Sequence, residues 1–200
     1  EIMDKSGRTT GVASENKIFI NKILTTNDDL SGARSARTLP RHPKIDTAIF
    51  DLTLNSVIEE GLFSDATSVS VITDPLGNGQ NAENDTEKEI ASPVHRLLVD
   101  VADKAIVLSA DNPVCGEAVG PGGPKDICIV ANDEEDNVAQ KFISAGHSVV
   151  TKAVLDGKTM IVVHAGGNAE PMIETSEMTQ TAGISGQLWT EAAMYAVATS

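Results

Sequence analysis

Three aspartates stand where short apolar runs stop. Thr47-Ala48-Ile49-Phe50 ends on Asp51, Val69-Ser70-Val71-Ile72-Thr73 ends on Asp74, and Ala105-Ile106-Val107-Leu108-Ser109-Ala110 ends on Asp111. Such runs, separated by helix-like segments, read as buried strands of a parallel sheet. Ligands of these sheets bind outside the carboxyl ends of the strands, so all three acids are expected along one such edge. A second candidate is the turn Gly7-Arg8-Thr9 within Asp4-Lys5-Ser6-Gly7-Arg8-Thr9-Thr10-Gly11. Glycine, a cation and a hydroxyl in this order are the closing places of a phosphate loop, whose backbone N–H groups face the phosphates. The upstream glycine and the following helix are missing, and the alternative is a plain surface turn. A third candidate is the acid-lined loop Asp74–Asp85, a metal or small-molecule site whose spacing is not that of an EF-hand. His95, His147 and His164 are scattered and read as surface or packed side chains. Cys115 has a glycine beside it and no base to activate it. Trp189 reads as a core or interface anchor.

The elements that must position these residues follow from periodicity. Lys17 to Leu24 alternates at period two and reads as a strand pair. Ser31 can cap a short helix from Ala33 to Leu39, before Pro40 and Pro43 break the chain. After the strand ending at Asp51, a helix runs to about Gly61. Thr86 and Glu89 have capping-box spacing ahead of a helix whose apolar face is Ile90, Val94, Leu97, Leu98 and Val101, with Pro93 set to kink it or delay its start. Asp126 to Val130 is a further strand. The acidic run Asn132–Asp136 suits the start of the next helix. Asp156-Gly157 between two alternating runs, Ser148 to Leu155 and Lys158 to His164, is a hairpin signal, and Ala169 to Ile173 adds an edge strand. An Ala-rich helix from Gly183 to Ala198 closes the chain. The reading is an α/β domain over residues 1–200: a mostly parallel, Rossmann-like sheet flanked by helices, with a small antiparallel hairpin sheet from peripheral segments 16–25 and 148–174.

At 200 residues the length fits one domain, and aromatics are only 3%, so Val, Ile, Leu and Ala must build the core. A formal net charge of −14 argues against nucleic-acid and anionic membrane partners, both of which need clustered cations. No apolar run reaches the roughly 20 residues of a membrane span. The start, Glu1 to Lys5, lacks the apolar core of a signal peptide. Two thiols in no metal-ligand spacing, Cys115 and Cys128, fit a cytoplasmic protein. The chain opens on Glu1 and stops in a helical pattern at Ala198–Ser200, as a piece of something longer would.

The order of these pieces resembles the central, Mur-ligase-like domain of the cyanophycin synthetases, from about Gly7 to Ser200. Leu30-Ser31-Gly32-Ala33-Arg34-Ser35-Ala36-Arg37 is similar to the family's Thr-Gly-Pro-x-Ser-Ala-Arg. His42-Pro43-Lys44-Ile45-Asp46-Thr47-Ala48-Ile49-Phe50-Asp51 is similar to its Asp-Pro-x-Val-Asp-x-Ala-Val-x-Glu. Gly61-Leu62-Phe63-Ser64-Asp65 and the following Val69–Thr73 resemble Gly-Leu-x-x-Asp and Val-Gly-Val-Val-Thr-Asn. Val107–Pro113 resembles Val-Leu-Asn-Ala-Asp-Asp-Pro. The resemblance implies ATP-dependent ligation that builds an aspartate–arginine polymer, with magnesium held near Asp51 and Asp74 and nucleotide near Asp111 and Gln187.

Departures from the pattern imply loss of that chemistry. The family's Glu and Ala-Arg-Gly-Gly turn are replaced by Asp51 and Thr53-Leu54-Asn55-Ser56. Its metal-binding His is absent, and the chain reads Asp74-Pro75-Leu76-Gly77. Its positioning Lys is absent from Ala91–His95. Gln187 stands where an Asn contacts adenine, and the lobe that closes over the substrates would follow Ser200. Phosphoryl transfer depends on positioned charge, so the resemblance implies a degenerate, non-catalytic module. It would pack against an ATP-grasp region of the same protein, support a homo-oligomer, and need no cofactor of its own. Two alternatives stand beside it. One is an active ligase with magnesium and ATP, Asp51 and Asp74 holding the metal and Arg8 replacing the phosphate-loop Lys. The other is an acidic metal- or small-molecule-binding domain.

Overall fold

The structure, a computed structural model, describes residues 6–14, 17–26, 37–73, 85–111, 126–178 and 186–199, with the backbone alone at 26 and over 85–92 and 186–189. The chain divides into two compact units, Glu1–Asp65 and Ala66–Ser200. Among the described residues no helix is long and apolar enough to cross a membrane.

The first unit is a four-stranded sheet in the order β3-β2-β1-β4, from β1 (Thr10–Ser14), β2 (Lys17–Ile20), β3 (Ile23–Thr26) and β4 (Thr47–Asp51). β1 and β4 run parallel, while β2 and β3 join antiparallel. Asn21 and Lys22 both take positive φ, 48° and 68°, which is the two-residue turn that matches the twist of a hairpin. One face of the sheet packs Ala13, Ile18 and Leu39 with Ile45, Ala48 and Phe50. Gly11 lies beneath them, and a Cβ there would come within 2.6 Å of Ile45 Cδ1 and 2.9 Å of Leu39 Cδ2. The close approach therefore requires glycine. Helix α1 (Leu54–Glu60) is capped by Thr53, whose hydroxyl accepts from the Ser56 N–H, and ends at Gly61 with φ 73°.

The second unit is a six-stranded mixed sheet in the order β10-β9-β8-β7-β6-β5. Its strands are β5 (Thr67–Ile72), β6 (Ala102–Ser109), β7 (Asp126–Val130), β8 (Ser148–Leu155), β9 (Lys158–Ala165) and β10 (Asn168–Glu174). β5 to β8 are parallel and β8 to β10 antiparallel. The helices are α2 (Asp85–Asp100), α3 (Asn137–Ser144) and α4 (Gly186–Ala198). Val99 of α2 and Ala139 and Phe142 of α3 pack with Ile106, Leu108, Ile129 and Val149. Met194 of α4 packs with Val107, Cys128, Val130, Val150 and Ile161. Odd and even positions of the strands thus serve two cores, and the strands read as unbroken apolar runs because both faces are buried. Asp136 caps α3 by accepting from the N–H groups of Val138 and Ala139, at the helix start where the acidic run is expected.

Several expectations are corrected. The segment Thr10–Ser14 is a strand, where the sequence reading places no element between the turn at Gly7–Thr9 and the strand pair from Lys17. β4 belongs to one sheet and β5 and β6 to another, so Asp51 does not share a sheet edge with the acids that follow β5 and β6. The antiparallel hairpin is not a separate small sheet, because β8 continues the parallel array through Val130↔Val150. Helix α2 begins at Asp85 and contains Pro93, so the proline does not delay its start. Of the predicted helix from Ala33 to Leu39, residues 33–36 lie outside the described residues, Arg37 and Thr38 are helical as expected, and only its last residue differs, Leu39–Arg41 forming a 3-10 turn.

Candidate functional site

The two ends of the β1–β4 pair carry the chemistry expected of the first unit, and they carry it apart. The register runs from Thr10↔Thr47 to Ser14↔Asp51. At the carboxyl end, the Ser14 hydroxyl donates to Asp51 Oδ2 at 2.7 Å. Lys17 pairs with Ser14 on the other side of β1. A hydroxyl and a carboxylate side by side at the ends of parallel strands are hard oxygen ligands of the kind magnesium takes, with waters or phosphate oxygens completing its octahedron.

The turn Gly7-Arg8-Thr9 lies at the amino end. Gly7 has φ 77°, a conformation that glycine adopts without strain. The Thr9 N–H donates to Asp46 Oδ2 at 2.9 Å, and the Thr9 carbonyl accepts from the N–H groups of Asp46 and Thr47. A backbone donor that would face phosphate is therefore already used by a carboxylate. Four strand steps separate this end from Ser14 and Asp51, roughly 13 Å at the usual rise. Arg8 and Asp51 are not brought together.

In the second unit, Asp111 is exposed just past the carboxyl end of β6, and its N–H donates to Ser109 Oγ at 3.3 Å. The Tyr195 hydroxyl of α4 donates to the Thr73 carbonyl beyond β5 at 3.3 Å. Gln187 lies in the first turn of α4, where only the backbone is described. Asp74 and the loop that follows it as far as residue 84 lie outside the described residues, as does Cys115. Among the described residues no three of His, Cys, Asp and Glu gather as a metal site.

The remaining candidates are packing groups. His164 is buried and its Nε2 lies 2.9 Å from the hydroxyl of Thr151, which is fully buried. His95 is buried in α2. Burial pushes the Cys128 thiol up to about 11, so it stays protonated and unreactive at neutral pH. Sequence reasoning missed Ser14. Its signal was faint: a hydroxyl closing the small-residue run Thr10-Gly11-Val12-Ala13, visible only once that run is recognised as a strand beside β4.

No protein-family model matches the chain. The chain is 25% identical over 190 residues to a cyanophycin synthetase of Synechocystis sp., a match that covers 86% of this chain and 21% of that protein. It is thus distantly related to one region of that synthetase and spans about a fifth of its length.

Proposed function

We propose that this chain is a Mur-ligase-like module of a cyanophycin synthetase-type ligase that does not itself perform ligation. It serves instead to pack against an ATP-grasp region and to support a homo-oligomer. The match across 86% of the chain supports the family assignment. The observation that carries the non-catalytic reading is the separation of Arg8 from Asp51 at opposite ends of the β1–β4 pair. Phosphoryl transfer is catalysed by charges converging on one phosphate, and these two diverge. Titration calorimetry of the chain with Mg-ATP tests it, with no binding heat as the expected result. Tight binding that disappears in Asp51→Asn overturns it.

One observation favours a second reading, an ATP- and magnesium-dependent amide ligase. The Ser14–Asp51 pair presents a hydroxyl and a carboxylate at the carboxyl ends of two parallel strands, where ligands of such sheets bind. In that reading both side chains hold magnesium, and Ser14→Ala with Asp51→Ala abolishes ATP turnover while leaving the fold intact. Turnover that survives in the double variant removes it.

A further inference from the structure

The chain carries 29 acidic against 15 basic side chains, yet the amino end of the β1–β4 pair is basic. Arg8, Arg37, Arg41 and Lys44 are all exposed, and His42 is half-buried among them. Within residues 6–14 and 37–50 the one acid is Asp46, whose carboxylate is bonded to the Thr9 N–H. Among the described residues none of the four cations has an ion-pair or side-chain hydrogen-bond partner.

The fold holds these cations in one place. Leu39, 1% exposed, is the anchor of the 3-10 turn that contains Arg41 and follows the helical Arg37, and it seats against Gly11 of β1. The His42 N–H donates to the Leu39 carbonyl at 3.1 Å, and the Ile45 N–H to the His42 carbonyl at 3.2 Å. The Lys44 N–H donates to His42 Nδ1 at 3.3 Å. The bonds from Thr9 to Asp46 and Thr47 fix Arg8 beside the same segment. Unpaired like charges held together repel one another, an arrangement that an anionic partner would relieve.

We infer that this patch docks an acidic segment of a partner polypeptide through its Asp and Glu carboxylates. Three features select that chemistry. The charges are spread along a turn and a neighbouring loop, which suits several carboxylates in a row better than one compact anion. The backbone N–H of Thr9, the natural donor for a single phosphate, is already engaged. The net charge of −14 disfavours a long nucleic-acid polyanion, whose field reaches well past the patch, while a short acidic segment feels chiefly the local cations. This inference rests on the charge map alone and stands whichever reading of the ligase chemistry holds.

The test uses the whole 200-residue chain and a short fluorescent peptide of alternating Glu and Ser, followed by anisotropy. Binding is expected at low salt, with affinity falling steeply as salt rises. The triple charge reversal Arg37→Glu, Arg41→Glu and Lys44→Glu should weaken it by at least about tenfold, since each exposed charge pair is worth a fraction of a kcal/mol. Reversal of the exposed Lys104 and Lys141 in the second unit should leave it unchanged. Circular dichroism confirms that both variants are folded. The proposal is overturned by no binding, by equal weakening in both variants, or by tighter binding of inorganic phosphate or a single-stranded oligonucleotide at the same patch.

Discussion

Ser14 and Asp51 face each other across the β1–β4 pair, the serine hydroxyl donating to the carboxylate at 2.7 Å. The bond ties together the ends of two strands that are far apart in sequence. Asp51 is exposed and water competes for its lone pairs, so the bond is worth less than a buried charge-assisted one. Ser14→Ala should therefore cost under about 1 kcal/mol in urea denaturation. A loss of several kcal/mol would mean that Asp51 depends on this hydroxyl for more than water can supply.

Thr10 offers the opposite case. It is 8% exposed, and its Oγ1 is buried without a hydrogen-bond partner among the described residues, although its backbone N–H donates to Asn21 Oδ1. Valine has nearly the same shape and no hydroxyl to leave unsatisfied. Thr10→Val should be neutral or stabilise by up to about 1 kcal/mol. Clear destabilisation in the same denaturation assay would show that the hydroxyl has a partner, such as an ordered water.

Gly11 tests the seat of Leu39. An added methyl meets the ends of the Ile45 and Leu39 side chains. Ile45 is half-buried and can give way, but Leu39 is enclosed. Gly11→Ala should cost about 1–3 kcal/mol as an overpacked core. It should also weaken the acidic peptide's binding if the basic turn shifts with Leu39.

Much of this architecture was legible because local signals and tertiary demands agreed. Asp156-Gly157 specified its hairpin, and residues 156 and 157 both take positive φ. Asp136 capped the helix it preceded. β7 was marked by a short apolar run, and both its faces are buried. What stayed hidden was non-local. The short β1 contains Gly11, and a glycine in a strand weakens the pattern; its need arises from Leu39, 28 positions away in the chain. Pairing partners are not written in periodicity, so β4 was assigned to the sheet of β5 and β6. Of the two readings of Gly7–Thr9, its place before β1 suits the plain surface turn. Once β1 is a strand, the turn before it lies at the wrong end for a phosphate loop.

The Thr151–His164 pair predicts a larger loss. Its distance is 2.9 Å and both residues are buried between β8 and β9. Thr151→Val keeps the shape and removes the imidazole's partner, leaving a buried ring nitrogen unsatisfied. The expected cost is about 1–3 kcal/mol, which thermal unfolding followed by circular dichroism would measure. A neutral result would mean that the ring finds another partner.

Cys128 gives a chemical readout of the second unit's core. Burial raises its pKa from 9.0 to about 11. A raised folded value means that the folded state holds the proton more tightly than the unfolded state. The thiol's contribution is then fully present below pH 9 and is lost as pH rises through about 11. In a Cys115→Ser background, leaving Cys128 as the remaining thiol, iodoacetamide labelling at mildly alkaline pH should be slow and should follow unfolding of the sheet. Added urea should accelerate it in step with the loss of far-ultraviolet ellipticity. Rapid labelling of the native chain, at the rate of an unfolded thiol, would show that the space between Cys128 and Met194 of α4 is open to solvent.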